Sequence, residues 1–442
     1  MNAWWTRYLP EILREWLDGR VVLQKTIGNT GWLVLERILR MAIGLTVGSW
    51  VARYLGPQQF GELAYVISFL AFFQAFSRLE ADKFVVRDVV QTREAAHIVL
   101  GTTLWLRISA GLVSWILAVL FMYISHPTDH RLVLLTAIVG GTLVFQAAET
   151  VDLWFQSQSQ SRRTVLAKFS AFAFSNGVKV ALLLAKAPLI AFAGVMCLEC
   201  AALSCSLAIA YRRIPTDNRW QVSSRQAKVL MLQCWPFILS GLMIATYSRI
   251  DQIMIKEMLG ETELGIFAAA LPISAAWNIL STTLIISLAP AFAMKKARDE
   301  QEYNAALARL FRFFALMALI GATLMSLTAP WIIKILYGPQ YQASAAILRI
   351  HVFVNLFLFQ GEAQSLWVIN NNVQAVTVLG TFMAATTSII SNFFLISKFG
   401  LLGAPFSILI AECVAVVLIP CLFRKDLREL YKKAFFCAKI KG

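Results

Sequence analysis

Charge is what this chain has least of. Asp, Glu, Lys and Arg make up 15% of its 442 residues, against 58% hydrophobic residues and a mean hydropathy of +0.66. An ordinary water-soluble domain carries about 25% charged residues, so that class is excluded. Signatures of chemistry are absent too. The sequence contains no GxxxxGK[ST], no dinucleotide fingerprint, no GxSxG and no HExxH, which removes the usual routes to nucleotide hydrolysis, hydride transfer, acyl transfer and zinc proteolysis. The alternating ten-residue segments of an outer-membrane barrel are missing as well. Cysteine is sparse: six of the seven lie in apolar helices and Cys437 in a basic tail, so disulfides are not expected. Cys197-x-x-Cys200 reads as two small packing residues, and His126, Asp129 and His130 as a solvated loop. No metal or cofactor is expected.

What remains is apolar length. Runs long enough to cross a bilayer, about 20 residues each, recur along the chain. They predict twelve spans: 32–54, 61–76, 98–124, 132–155, 165–184 and 189–211, then 230–255, 264–294, 310–337, 349–369, 375–396 and 401–423. The class is therefore all-α, a polytopic membrane protein. An interfacial amphipathic segment occupies 1–28 (Ile12, Leu13, Trp16, Leu17 and Val21 on one stripe), and is not read as a cleavable signal. An N-terminal lobe takes 29–211, a connecting loop 212–229, a C-terminal lobe 230–423 and a basic tail 424–442. The net charge of +15 is not a nucleic-acid patch, because it gathers in every second connection. With the first residue inside, 26 Lys and Arg fall in cytoplasmic segments and 4 in outside loops (Arg131, Lys186, Lys256, Lys398), which predicts both termini in the cytoplasm. The outside loops are too short for an external domain.

The chain repeats itself. Leu55-Gly56-Pro57-Gln58-Gln59-Phe60-Gly61 is echoed by Leu259-Gly260-Glu261-Thr262-Glu263-Leu264-Gly265, 204 positions later. Arg107 matches Arg312, Phe145-Gln146 matches Phe359-Gln360, Leu153-Trp154 matches Leu366-Trp367, and Glu199-Cys200 matches Glu412-Cys413. Six spans per half make the repeats parallel, related by an axis along the membrane normal. A longer loop in the second half accounts for the growth of the offset. Gly56, Gly61, Gly260 and Gly265 are expected to serve turn geometry and close helix approach.

Charges inside the spans are functional candidates by default, since each costs several kcal/mol in hydrocarbon unless wet or paired. Arg37, Arg40, Gly44 and Gly48 fall within roughly 80° of one another on a helix, a face that offers cations and room. Lys179, Arg249 and Arg107 complete the expected cationic cavity. The acids Glu149, Asp152, Asp251 and Glu362 are candidates for charge balance or for proton coupling. Glu149 and Glu362 hold equivalent places in the repeat.

Tyr54-Leu55-Gly56-Pro57-x-x-Phe60-Gly61, Asp251 followed by Leu259-Gly260-x-x-x-x-Gly265, Leu336-Tyr337-Gly338-Pro339-x-Tyr341 and Phe399-Gly400-Leu401-Leu402-Gly403-Ala404 together resemble bacterial polysaccharide (Wzx-type) flippases of the multidrug/oligosaccharidyl-lipid/polysaccharide exporter superfamily. The resemblance implies two six-helix lobes in a V around a cationic cavity. It also implies transfer of an undecaprenyl-pyrophosphate-linked oligosaccharide, such as an O-antigen repeat unit, to the periplasmic leaflet of the inner membrane, without enzymatic chemistry. The expected partners are the lipid-linked glycan, membrane lipids, and the polymerase and chain-length machinery, with no nucleic acid. Two alternatives stand beside it. A multidrug antiporter of the same superfamily would call for acids rather than arginines on the first span. An O-antigen polymerase would call for large external loops.

Overall fold

Hydropathy of this kind leaves the backbone one economical solution, helices that satisfy their own N–H and C=O groups within the bilayer. The computed structural model describes residues 21–92, 95–158, 161–212, 220–371 and 373–435, and side chains within them apart from 21–36 and 161–162. The interfacial stripe at residues 12–17, Arg93, Arg213, Arg219 and the last seven residues lie outside it. Among the described residues every regular element is a helix. Ten are long and apolar enough to cross a membrane, and two of these, at Arg37–Gln91 and Gln374–Phe423, break at positive-φ glycines, Gly56 and Gly400, which brings the crossings to twelve. They are α1 (21–55), α2 (57–78), α3 (Ala96–Ser125), α4 (His130–Ser157), α5 (Ser161–Leu184), α6 (Leu189–Arg212), α7 (Ser224–Leu259), α8 (Glu261–Arg298), α9 (Glu300–Leu336), α10 (Ser344–Asn370), α11 (Gln374–Phe399) and α12 (403–423). Backbone helix already runs from Val21, so residues 21–28 continue directly into α1.

Helix ends are set by local chemistry. Asp299 accepts from the N–H groups of Gln301 (2.7 Å) and Glu302 (3.2 Å) to start α9, and Asp129 accepts from Leu132 N (3.0 Å) to start α4, the capping expected of an aspartate before a helix. Gly56 (φ 74°, ψ 169°) and Gly260 (φ 110°, ψ 177°) break the chain in the same conformation at the same place in each half, one that a Cβ would disfavour. Five positions on, the glycines do something different. A methyl group on Gly61 would overlap the carbonyl oxygen of Glu261, and one on Gly265 would overlap that of Pro57. The pairing is reciprocal, 61 with 261 and 265 with 57, so the two repeat turns pack on each other across a local two-fold axis.

Around that contact the lobes share one core, in which Ala52, Leu55, Leu63 and Val66 meet Ile255, Leu264, Phe267 and Ile333. Polar bonds reinforce it. Arg53 donates to the carbonyls of Lys334 (3.1 Å) and Ile335 (2.7 Å), Gln340 donates to Arg53 O (2.6 Å), and Tyr341 to Ala52 O (2.8 Å). At the opposite end, where the basic residues gather, the cores are separate. Tyr303, Phe311, Phe314, Phe359 and Leu427 form one in the C-lobe, while Leu79, Val85, Val89, Leu100 and Leu153 form another in the N-lobe. Joined at the turns and separate at the basic end, the lobes make the V.

Two details depart from the sequence reading. The growth in repeat offset is not only a loop: α9 has 37 residues where α3 has 30, followed by a 3-10 turn at Pro339–Tyr341 that carries Tyr341 into the inter-lobe contact. The start of α7 does not belong to the C-lobe alone, since Cys234 and Ile238 are buried in the N-lobe core and Ser223 N donates to Thr102 Oγ1 at 3.0 Å. The matching arginines of the repeat tether short helices at the basic end. Arg107 binds Asp82 on the helix Asp82–Gln91, and Arg312 donates to Lys433 O (2.5 Å) and to Ala434 O on the helix Lys425–Phe435.

Candidate functional site

Between the lobes, α1 and α8 part enough to leave a cavity of about 360 Å³. Its walls are Met41, Gly44, Leu45 and Gly48 on one side and Pro272, Ala275, Ala276 and Ile279 on the other, with Phe60 and Tyr337 toward the turn end. The glycines explain the room. A methyl group on Gly44 would stand 3.9 Å from Phe172 Cζ, and one on Gly48 would meet nothing within 4 Å. Small residues on α1 and alanines around Pro272 on α8 hollow a wall that larger side chains would fill.

The wall itself is apolar, and the cations stand along its approach. Arg40 lies one turn from Gly44 toward the basic end, half-buried, its guanidinium 5.2 Å from the ring centroid of Phe172 on α5. That geometry suits a cation–π contact, in which a guanidinium packs beside an apolar wall. Arg37, one turn further out, is exposed. An apolar slot with arginines at its wide end can admit an amphiphile with an anionic group near its middle or end.

The other expected members of a single cationic cavity are elsewhere. Arg107 is 2% exposed and paired with Asp82, which also meets Arg78 at 3.6 Å; Arg78 reaches Glu149 at 3.4 Å. This chain of alternating charge braces the basic end of the N-lobe, so Arg107 is a strut there and not a wall of the cavity. A buried guanidinium is retained only with such a partner. Lys179 is also outside the inter-lobe cavity. It lines a second pocket, of about 270 Å³, between α2, α4, α5 and α6, where its Nζ lies 3.3 Å from Glu199 Oε2. Arg249 sits half-buried on α7 and has no ion-pair partner among the described residues.

The acids divide in the same way. Asp152 binds Lys168 at 2.5 Å and accepts from Gln156 at 3.1 Å, and Glu149 has Arg78. Both are charge-balanced inside the N-lobe. Asp251 is 2% exposed on α7, and its Oδ1 has no hydrogen-bond partner among the described residues. Glu362 on α10 and Glu412 on α12, the latter 6% exposed, likewise have no basic partner within reach among them. Glu412 ends an α-helical stretch at a π-helical turn, Val414–Leu418, a local irregularity often met where a helix is used. Sequence reasoning matched Glu412 with Glu199 in the repeat but left it out of the coupling candidates. The signal that could have raised it was the repeat alignment, which replaces Lys179 by Asn392 and so leaves Glu412 without a matching lysine.

Among the described residues no cluster of three or more His, Cys, Asp and Glu is placed to hold a metal ion, and the His126 side chain, expected in a solvated loop, is only 18% exposed. His126 instead takes part in an inter-lobe contact, 3.2 Å from Glu257 and 2.9 Å from Lys256 Nζ, with Tyr65 donating to Glu257 at 2.7 Å.

Known proteins echo this architecture. A family profile described as polysaccharide biosynthesis protein matches residues 50–346. A 90-residue stretch is 27% identical to the lipopolysaccharide biosynthesis protein WzxC of Escherichia coli (strain K12), covering 20% of this chain and 18% of that protein. The chain thus spans less than a fifth of the curated relative it matches. Among solved structures, it superposes on the lipid II flippase MurJ in an inward closed conformation with a TM-score of 0.73, at 11% identity over 90% of each chain. It superposes on a multidrug resistance MATE family transporter in an inward-facing conformation with a TM-score of 0.70, at 15% identity over 89% of this chain and 96% of that one. At such identities the likeness is one of fold. The profile covers most of the chain and both repeat turns, and on that ground the chain belongs to the polysaccharide biosynthesis protein family, built on the fold of the multidrug/oligosaccharidyl-lipid/polysaccharide exporter superfamily.

Proposed function

We propose that this protein is a flippase that moves an undecaprenyl-pyrophosphate-linked oligosaccharide from the cytoplasmic to the periplasmic leaflet of the bacterial inner membrane. The observation that carries the reading is the inter-lobe cavity, apolar where α1 and α8 face each other, with Arg40 and Arg37 following along α1 toward the basic end. A polyprenyl pyrophosphate has both halves of that description, and guanidinium groups bind phosphate oxygens through paired hydrogen bonds. With the basic end and both termini in the cytoplasm, the described state is closed on the periplasmic side by the Gly61–Gly265 contact. Transport is then rocking of the lobes, with that contact opening as the basic ends close.

Direction follows from charge. An anion gains about 2.3 kcal/mol per elementary charge per 100 mV when it moves outward in a cell negative inside. Glu149 and Asp152 are already balanced by Arg78 and Lys168, so proton coupling falls to Asp251, Glu362 and Glu412. The polymerase and chain-length machinery are partners on the product side, since they consume what arrives there. Export of organic cations is the weaker reading, because the α1 face carries arginines rather than acids.

The test is a glycan-display complementation assay. Arg40→Ala is expected to lose export at normal membrane abundance, and Arg40→Lys to keep part of it, because lysine preserves charge but not the two-pronged bond. Full activity of the alanine variant contradicts the proposal.

A further inference from the structure

The second pocket is not explained by an anion-binding path. Its polar lining consists of Gln74 on α2, Thr142 and Gln146 on α4, and Lys179 and Glu199 on α5 and α6. Ser175 donates to Glu199 Oε2 at 2.5 Å beside the lysine. Lys179 and Glu199 cancel each other, so the pocket offers no net charge to a phosphate or to a cation. What it offers is a ring of neutral donors and acceptors inside a membrane lobe, where polar groups are costly unless they are used.

The helix that supplies Gln146 tightens around it. After Gly141, α4 passes through a short turn at Thr142–Phe145 and a 3-10 turn at Gln146–Ala148 before resuming at Glu149. A stretch of 3-10 helix in the middle of an α-helix often marks a hinge or a strained, functional position. The repeat supplies a control. Gln360 holds the equivalent position on α10, where the helix Val354–Asn370 is continuous, and its Nε2 donates to Phe311 O at 3.1 Å. In the N-lobe Gln146 faces the pocket; both glutamines have an Oε1 buried without a hydrogen-bond partner among the described residues, so the difference lies in the amide nitrogen, which Gln360 commits to the backbone. One copy of the glutamine ties its amide nitrogen to a neighbouring helix and the other turns its amide to a pocket.

From this we infer that the N-lobe pocket is a subsite for one neutral sugar residue of the transported glycan. Amides, a hydroxyl and a lysine–carboxylate pair match the alternating donors and acceptors of a pyranose ring. The volume of about 270 Å³ equals on the order of nine waters at ~30 Å³ each, room for a single ring and not for a repeat unit. Thr142, Gln74 and Gln146 are the residues that choose among sugars. The inference rests on the flippase reading, and it adds a specificity determinant separate from the arginines.

The experiment uses the full-length protein in lipid nanodiscs and follows thermal stabilisation by two kinds of probe. The first is a panel of methyl glycosides of glucose, galactose, N-acetylglucosamine and rhamnose, and the second is inorganic pyrophosphate. At least one glycoside is expected to stabilise the wild type saturably. Gln146→Leu and Gln74→Leu should each weaken that response by ~tenfold, the loss of about one good hydrogen bond, and leave the pyrophosphate response unchanged. Arg40→Ala should do the reverse. Where Gln146→Leu already lowers stability without ligand, Gln74→Leu decides. A pyrophosphate response without any glycoside response overturns the subsite and spares the flippase reading. A glycoside response untouched by either variant also overturns it, whereas a glycoside response without one to pyrophosphate overturns the anionic anchor instead.

Discussion

The two lobes share a fold and a set of acidic positions, yet they treat those acids differently. In the N-lobe, Glu149 has Arg78, Asp152 has Lys168 and Glu199 has Lys179. The repeat places Thr282, Thr381 and Asn392 where those three bases would be, and Ser365 in place of Asp152. Glu362 and Glu412 persist without a fixed counter-charge among the described residues. A doubled chain has therefore kept one half as a neutralised frame and let the other keep acids without a matching base. Symmetry is retained where the lobes touch, at Gly61 and Gly265, and given up where each lobe does its own work.

Restoring symmetry, or breaking it, changes behaviour by amounts that can be ranked. The largest effect belongs to the contact. Gly61→Ala and Gly265→Ala each push a methyl group into a backbone carbonyl of the opposite turn, and overpacking of that kind costs about 1–3 kcal/mol or more. Both should cut membrane abundance or lock transport, without altering which glycan is exported. Gly48→Ala, which meets nothing within 4 Å, should leave abundance intact. Equal abundance for all three would show that the turns do not bear on each other as described.

Next in size is the frame. Asp152→Asn leaves Lys168 without its carboxylate, and with the lysine about a third exposed the cost should be about 1–2 kcal/mol. A melting curve in detergent reads this directly. The double substitution Asp152→Ser with Lys168→Thr, which installs the C-lobe residues, should recover most of the loss. A double variant that melts as low as the single one would mean that the pair does more than balance charge.

Sharper, though smaller in stability, is the converse exchange. Asn392→Lys gives Glu412 the partner that Glu199 has. It should leave abundance near normal and reduce the dependence of transport on an imposed pH gradient. Unchanged pH dependence would remove Glu412 from any coupling role. The smallest effect is expected outside the membrane. Glu429 is held below the usual carboxylate range by its hydrogen bond from Lys432, 2.8 Å long on the exposed face of the C-terminal helix. Its contribution is present above the ordinary carboxylate pKa and lost as pH falls through the lowered one, yet an exposed pair is heavily screened. Glu429→Gln should not shift the melting temperature measurably.

How far the sequence could be read follows from where its signals are local. The spans, the doubling and the turn glycines are written in hydropathy and in short motifs, so Gly56 and Gly260 were legible as backbone positions. That Gly61 and Gly265 would face each other was not, because their separation of 204 residues carries no local trace of contact. The α1 stripe of Arg40, Gly44 and Gly48 was legible from helical periodicity. Lys179 and Arg107 were misplaced for one reason: a lone intramembrane base looks the same in sequence whether it faces a cavity or a carboxylate. Only the fold brings Glu199 to the first and Asp82 to the second. The pocket behind Gln146 escaped because a 3-10 tightening in the middle of an apolar run has no proline to announce it.

The most direct measurement is transport itself. The purified protein would be reconstituted into vesicles carrying a fluorescent undecaprenyl-pyrophosphate-linked glycan, and the label in each leaflet followed with an impermeant quencher under an imposed potential. Wild-type protein should move the label toward the positive side faster than protein-free vesicles, and Arg40→Ala should fall to the protein-free rate. Equal rates for wild type, Arg40→Ala and empty vesicles would contradict the assignment of the inter-lobe cavity as the path of a lipid-linked anion.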